Sequence, residues 1–397
     1  MGLTELRERT EALIATVPDE DDFTSRLRSP AVAARVGVWL GLCFGVCFIT
    51  GLISHEAYVT HPFIAFPTRP VNLYRVTQGL HVISGTAAIP LLLVKLWAVF
   101  PKLLARPPKS VRHLLVEALE RTSIAALVAA SIFQLASGLF NAAQWYPWHF
   151  HFRATHYSVA WIAIGSLIVH IAVKLPLIRD VLGADIESGV HDRASMTGTP
   201  PISRRALVRG ALTASSVAVL TQAGSTIPLL RKVSVFSPRS GNGPGHLPVN
   251  RTAHGAGCVA AALSTDYRLT LTYGTKQMVF TRAELEQLRQ RTHDLPIACV
   301  EGWSKNATWT GVRLRDLLDQ VGAPRGKDVK ATSLQTRGAF GTTTLPSQFV
   351  DDPLTLLALG LNGETLPLDH GYPARLIAPD RPGVLQTKWI TQLEVLA

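Results

Sequence analysis

Five long apolar stretches in the first 231 residues constrain this chain more than anything else in it. Residues 36–54 carry no charge, and neither do residues 122–152. Residues 82–100 are interrupted only by Lys95, residues 155–173 form a fourth run, and a fifth lies between Arg209 and Arg231. Each approaches or exceeds the ~20 residues a helix needs to cross about 30 Å of hydrocarbon. One soluble core could not bury all of them, so the pattern predicts five membrane-crossing helices. Composition agrees: 47% of residues are hydrophobic and 17% charged, against roughly 25% charged in ordinary soluble domains. A mean hydropathy of +0.21 excludes a disordered chain. The formal charge is 39 − 28 = +11. In a soluble protein that excess would suggest nucleic acid. Here it reads as the basic bias of cytoplasmic loops, and no nucleic-acid partner is expected.

The basic residues also orient the helices. Arg26, Arg28 and Arg35 precede the first run, Lys102 to Arg121 fill the second connection, Lys174 and Arg179 follow the fourth run, and Arg193, Arg204, Arg205 and Arg209 lead into the fifth. The connections around 55–75 and 141–154 hold only Arg69, Arg75 and Arg153 and are rich in aromatics and His. The expected layout is a cytoplasmic segment 1–30, a four-helix bundle 31–180, a cytoplasmic linker 181–203, a fifth helix 204–232 and an outer-face domain 233–397. The expected location is the cell (inner) membrane, multi-pass, with that last domain extracytoplasmic.

Ionisable groups at membrane depth point to function, and histidine is the informative one here. Imidazoles paired across helices grip haem in four-helix bundles. His81 and His156 fall near the starts of the second and fourth helices and are the expected iron ligands; His55 and His170 are alternatives. His156 and His170 are 14 residues apart and share a helix face, but no second ligand stands at the depth of His170, so one haem is expected. His61, His149 and His151, in connections beside Pro and Trp, read as interfacial. Cys43 and Cys47, one turn apart, read as packing residues. The stretch Leu73-Tyr-Arg-Val-Thr-Gln-Gly-Leu-His81 with His156 and His170 resembles the membrane cytochrome b subunits of redox enzymes, which implies haem b and a quinone, quinol or other membrane redox partner.

At the linker's end, Ser203-Arg204-Arg205-Ala206-Leu207 precedes a moderately apolar stretch rich in Ala, Ser, Thr and Gly. It looks like an internal twin-arginine export signal, which would carry a domain already folded in the cytoplasm; the plainer reading is an ordinary basic helix flank.

From Val233 on, strands of period two such as residues 267–273 alternate with Gly and Pro turns. Short helices are expected at 281–290 and 312–320. The fold class is therefore an all-α membrane bundle followed by a mostly-β α+β domain of about 160 residues, enough for its own core. Its centre is Leu295-Pro-Ile-Ala-Cys299-Val-Glu-Gly-Trp-Ser304. A cysteine at a strand end, entering a Gly-Trp turn, is placed to act as a soft thiolate ligand. Cys258, between Gly257 and Val259, reads as a small buried residue.

The segment Cys-Val-Glu-Gly-Trp resembles the molybdenum-binding segment of the sulfite oxidase family. Trp309-Thr-Gly-Val-Arg-Leu-Arg-Asp-Leu-Leu318, Leu361-Asn-Gly-Glu-Thr-Leu-Pro367 and His370-Gly-Tyr-Pro-Ala-Arg375 followed 13 residues later by Lys388-Trp389 also look like that family. The resemblance implies the molybdenum–molybdopterin cofactor, Cys299 as protein ligand to molybdenum and as the catalytic residue, and His370, Arg375 and Lys388 holding the pterin and its phosphate. Asn250, Arg251 and Arg337 are weaker candidates for pterin or substrate contact. No Arg cluster upstream of Cys299 matches the family's sulfite site. The expected function is a molybdenum oxidoreductase exchanging electrons between a small oxo-anion or sulfoxide substrate on the outer face and a membrane haem and quinone pool, tilted toward reduction. Two competing readings are a transmembrane haem electron-transfer protein with a non-catalytic outer pterin-binding domain, and a ligand-binding sensor without turnover.

Overall fold

The computed structural model describes residues 18–59, 62–105, 111–237 and 243–396; His61 lies outside the described residues. Five long helices account for the apolar runs: α1 Pro30–Glu56, α2 Leu73–Val99, α3 Val111–Ala142, α4 Phe152–Gly183 and α5 Arg204–Ala223. Among the described residues, these five are long and apolar enough to cross a membrane. Pro30 opens α1, where its missing N–H costs nothing. Pro90 and Pro176 lie inside α2 and α4, a tolerance typical of membrane helices. Leu42, Ile49, Leu93, Ile168 and Val173 are all exposed, an outward apolar surface suited to hydrocarbon rather than water.

The helix boundaries differ from the uncharged runs, most clearly in α3 and α5. α3 starts well before Thr122 and carries Glu120 and Arg121, then stops at Ala142, leaving the apolar tail 143–151 in turns. α5 stops at Ala223, where the Gly224 N–H leaves the helix ladder for Ser234 Oγ at 2.7 Å.

The chain divides into two compact units that do not follow chain order. One comprises Met1–Phe48, Ile83–Phe140 and Pro147–Leu220; the other comprises Ile49–Val82, Asn141–Tyr146 and Thr221–Ala397. In the first unit, Val32, Val36, Leu91 and Ala211 form a small apolar core. Lys95, the one charge in its run, donates to the Ala33 carbonyl of α1 at 2.7 Å. The start of α5 is fixed by Arg204, whose buried guanidinium donates to the carbonyls of Arg26, Ile186 and Ser188 and pairs with Asp192.

Among the described residues, the second unit contains two sheets and five short α-helices. In chain order these are α6 Ala253–Ala256, α7 Val259–Leu263, β1 Leu269–Tyr273, β2 Lys276–Phe280, α8 Arg282–Gln287, β3 Gln290–Ala298, β4 Ser304–Arg313, α9 Leu314–Gln320, β5 Val329–Ser333, β6 Thr342–Leu345, α10 Ser347–Val350, β7 Leu356–Leu361, β8 Glu364–Thr365, β9 Arg375–Ile377 and β10 Ile390–Val395. One sheet has the order β2-β1-β10-β5-β6, parallel only between β1 and β10. The other runs β3-β4-β7-β8, with β9 also on β7. Strand alternation buries Leu269, Leu271, Trp309, Leu357 and Leu393.

The helix at 281–290 is shorter than expected. Thr281 and Glu284 form its capping box, but the Gln290 amide donates to the carbonyls of Leu285 and Leu288, so the helix ends and Gln290 opens β3. The next helix starts at Leu314 because Val312 and Arg313 complete the ladder of β4 with β7.

The α1–α2 connection packs into this same core. Ala57, Phe66 and Tyr74 are buried in it, Arg69 pairs with Asp352 at 3.0 and 3.2 Å, and Asp380 Oδ1 accepts from the Tyr74 N–H at 2.7 Å, capping α2 from 306 residues away.

Candidate functional site

Cys299 follows β3 directly and starts a tight turn. Its N–H donates to the Trp303 carbonyl (2.9 Å) and its carbonyl accepts from Gly302 (3.0 Å). Gly302 has φ +89°, which glycine adopts without strain. The side chain is 1% exposed. Burial pushes the thiol well above its usual pKa, and the neighbouring Glu301 carboxylate pushes the same way. A positive charge near the sulfur favours the thiolate against that burial.

Positive groups converge on this cysteine. Arg375 opens β9 on the strand flanking β7. It donates to the carbonyls of His370 (3.1 Å) and Gly383 (3.5 Å), and lies 5.3 Å over the Trp309 ring. Burial lowers its pKa to about 9, with Cys299 pulling the other way. Lys388, just before β10, donates to Asn250 Oδ1 (3.2 Å), the Arg251 carbonyl (2.5 Å) and the Asp369 carbonyl (2.9 Å). Burial, then Arg375, lowers it to about 7. His370, in the turn Leu368–His370, is lowered to about 3 by burial and by both cations.

Neither Arg375 nor Lys388 has a carboxylate partner among the described residues; both rest on neutral oxygens. An uncompensated buried charge costs several kcal/mol. Within the site residues, His370 Nε2 and Arg375 Nε are buried without hydrogen-bond partners, as are Ser304 Oγ at the start of β4 and Gln386 Oε1 two residues before Lys388. Two buried cations with no carboxylate in ion-pair contact, together with unpaired buried donors and one unpaired amide oxygen, fit an anionic, hydrogen-bond-rich group that also offers a soft metal to sulfur. The residues present therefore fit a molybdenum–pterin cofactor.

The structure brings Cys299, His370, Arg375, Lys388, Asn250 and Arg251 into one neighbourhood. Arg337 is exposed, though its N–H reaches the Ala256 carbonyl beside this segment (3.2 Å). Cys258 is buried, with Sγ 3.6 Å from the Ala253 carbonyl, and packs against Trp389. Asp369 and Gln386 escaped the sequence reading. The first acts through its carbonyl, which any residue could supply, and the second lies in an unpatterned stretch whose burial along 380–389 has no periodic signal.

The histidines have separate surroundings. His81 lies eight residues into α2, deeper than a helix-start position, with Nδ1 3.3 Å from Thr50 Oγ1. His156 Nδ1 lies 3.0 Å from Ser137 Oγ, with its ring 5.1 Å from Phe152. His55 is in the last turn of α1, and His170 is half-buried in α4. His81 and His55 belong to the unit of the β-domain, His156 and His170 to the other. Cys43 and Cys47 are partly buried and form no disulfide.

Comparison with known proteins bears on the β-domain most directly. Residues 256–397 match the family described as the oxidoreductase molybdopterin binding domain. The sulfite oxidase of Arabidopsis thaliana is 32% identical over 106 residues, covering 23% of this chain and 27% of that protein. The protein-methionine-sulfoxide reductase catalytic subunit MsrP of Xanthomonas campestris is 38% identical over 110 residues, covering 24% of this chain and 34% of that protein. A protein of Azospira oryzae named as a protein-methionine-sulfoxide reductase subunit, YedZ1, is 33% identical over 116 residues, covering 29% of this chain and 43% of that protein. The chain thus spans between a quarter and a half of these relatives' lengths. Its C-terminal part, residues 256–397, matches the molybdopterin-binding domain of oxidoreductases, and sulfite oxidase and MsrP are among the proteins the chain is similar to.

Proposed function

We propose that this protein is a membrane-bound molybdenum oxidoreductase that reduces a sulfoxide-type substrate on the extracytoplasmic face, drawing electrons from the quinol pool through one b haem. The observation that carries the molybdenum site is the pair of buried cations, Arg375 and Lys388, that rest on neutral oxygens with no carboxylate ion pair among the described residues, in the same domain as the buried thiol of Cys299. The sulfoxide reading is supported by similarity to both a catalytic subunit and another subunit of protein-methionine-sulfoxide reductases, and by the lack of an upstream Arg cluster of the sulfite type.

When bound, the molybdenum cofactor supplies two-electron oxygen-atom transfer. The chain's own residues do the rest. Cys299 gives up its proton to become a thiolate, which the nearby Arg375 and Lys388 charges favour. Arg375, Lys388 and His370 hold the pterin and its phosphate, with Asn250 and Arg251 fixing the Lys388 ammonium. The overall change balances as one sulfoxide, two electrons and two protons giving one sulfide and one water, with a quinol supplying both electrons and protons.

The haem reading assigns iron to His81 and His156, with His55 and His170 as alternatives. A hydroxyl at the Nδ1 of both His81 and His156 suits imidazoles oriented to ligate through Nε2. The Arg204-Arg205 pair is read as an export signal for a domain that must fold around a cofactor made in the cytoplasm.

Metal and pterin analysis of the detergent-purified protein, with Cys299→Ser alongside, tests the central assignment. The wild type should contain molybdenum and pterin in equal amounts. Serine replaces a soft thiolate by a hard, weakly ionised hydroxyl, so the variant should lose sulfoxide reduction. A variant that keeps molybdenum and full turnover overturns the ligand assignment.

A further inference from the structure

The turn that bears Cys299 is held by side chains far from it in sequence, all within the same compact unit. The Val300 carbonyl accepts two hydrogen bonds, from Gln78 Nε2 of α2 at 3.0 Å and from Asn141 Nδ2 at the end of α3 at 2.9 Å. Both amides are themselves oriented. Ser54 Oγ donates to Gln78 Oε1 at 3.3 Å, and the Tyr146 hydroxyl donates to Asn141 Oδ1 at 3.1 Å. Each amide's acceptor is thus occupied and its donor aimed at the same carbonyl, which has both lone pairs engaged. The next residue is held likewise: Glu301 Oε2 accepts from Gln144 Nε2 (2.5 Å) and Trp303 Nε1 (2.9 Å). Thr226 Oγ1 donates to the Gly302 carbonyl at 2.7 Å.

Side chains also pack directly against two glycines. A Cβ on Gly302 would stand 2.6 Å from Val82 Cγ2, and one on Gly79 would stand 2.5 Å from Thr226 Cγ2. Gln78 and Asn141 are each 6% exposed, so water does not compete for these bonds. The turn cannot shift unless the helix ends shift with it.

We propose that Gln78 and Asn141 are positioning residues for Cys299: two amides on the ends of α2 and α3 fix the Val300 carbonyl, and through it the direction in which the cysteine presents its sulfur. This rests on Cys299 being the thiolate ligand. It follows that the character of the metal–sulfur bond is set in part by apolar helices that supply no ligand to the metal. Nothing in the cysteine motif itself encodes this, because the acceptor is a backbone carbonyl.

Gln78→Met and Asn141→Leu each remove one donor at nearly constant volume. In the cofactor-free full chain, alkylation of Cys299, followed by peptide mass spectrometry with Cys258 as internal reference, should speed up about tenfold in the double variant as the turn opens. In the loaded chain, the double variant should retain molybdenum, shift the Mo(V) paramagnetic resonance spectrum and the midpoint potential, and lower kcat at least about tenfold with KM unchanged, as misplacement of a reacting group does. Each single variant should fall between. Wild-type alkylation, spectrum and potential in the double variant overturn the proposal. Should the double variant fail to load, wild-type alkylation and spectra in both single variants overturn it equally. The ligand assignment is judged separately: Cys299→Ser with a wild-type metal spectrum sinks that assignment, while the alkylation rates still decide whether the amides hold the turn.

Discussion

Lys388 shows how a single residue can be costly to the empty fold and necessary to the loaded one. Its ammonium is buried against three oxygens with Arg375 nearby, and its pKa is drawn down to about 7 from the usual 10.5. A base with a depressed folded-state pKa is charged in both folded and unfolded chains below pH 7, so the burial cost is then fully present. It declines as pH rises from about 7 toward 10.5, where the folded state sheds its proton first. Lys388→Met should therefore stabilise the cofactor-free protein at pH 6 by on the order of 2 kcal/mol, less than the shift alone implies because three oxygens lose their donor. The gain should fade by pH 10, as followed by thermal unfolding at the two pH values, and the same variant should lose the pterin on purification. A variant destabilised at pH 6 would show that Lys388 is a structural strut rather than an anion-binding group. The cysteine was legible in the sequence because its neighbours are side chains in a fixed order. Its supports, Gln78, Asn141 and Gln144, were not, since polar residues at the ends of apolar helices have no spacing that points to a turn more than 150 residues away.

Among the elements, the five helices were legible because lipid demands length and apolarity in one continuous run, whereas their ends were not. α3 begins inside a charged segment, because backbone hydrogen bonding continues wherever no breaker intervenes, and charge marks the edge of hydrocarbon rather than the edge of helix. The start of α5 separates two roles that the Arg204-Arg205 pair had merged. Arg204 is 2% exposed and its fork of donors is filled by three carbonyls and Asp192, a geometry that lysine cannot reproduce. A change at Arg204 would perturb the fold whatever its part in export. Arg205 is half exposed and makes one ion pair, with Asp185 at 3.2 Å, worth at most about 1 kcal/mol. Arg205→Lys preserves charge and stability, so an ordinary basic flank should tolerate it. A receptor that reads paired arginines should not. The expected outcome is loss of protease accessibility of residues 243–396 from the outer face of intact spheroplasts, with the first four helices still inserted. Equal accessibility in wild type and Arg205→Lys would reduce the pair to a basic flank with one buried clamp.

At the scale of the whole molecule, the pairing of apolar helices with a molybdopterin-binding domain makes sense if electrons enter in one and leave in the other. The two halves can be tested apart by the choice of electron donor. A small soluble reductant such as reduced viologen reaches the β-domain from water, while a quinol analogue is confined to the membrane and depends on whatever the helices hold. His81→Ala and His156→Ala each delete one proposed iron ligand, and a bis-imidazole haem needs both. Each variant should lose low-spin haem absorbance and at least about 90% of quinol-driven sulfoxide reduction, since no second route for electrons is proposed. Each should keep its molybdenum and most of its viologen-driven turnover. His81 carries the sharper form of the test, because it lies one helical turn from Gln78 and could disturb the Val300 carbonyl. If viologen-driven turnover falls in His81→Ala but not in His156→Ala, the α2 end is acting through the cysteine turn as well as through haem. If quinol-driven turnover survives in both variants while His55→Ala or His170→Ala abolishes it, the haem sits on the other pair of imidazoles.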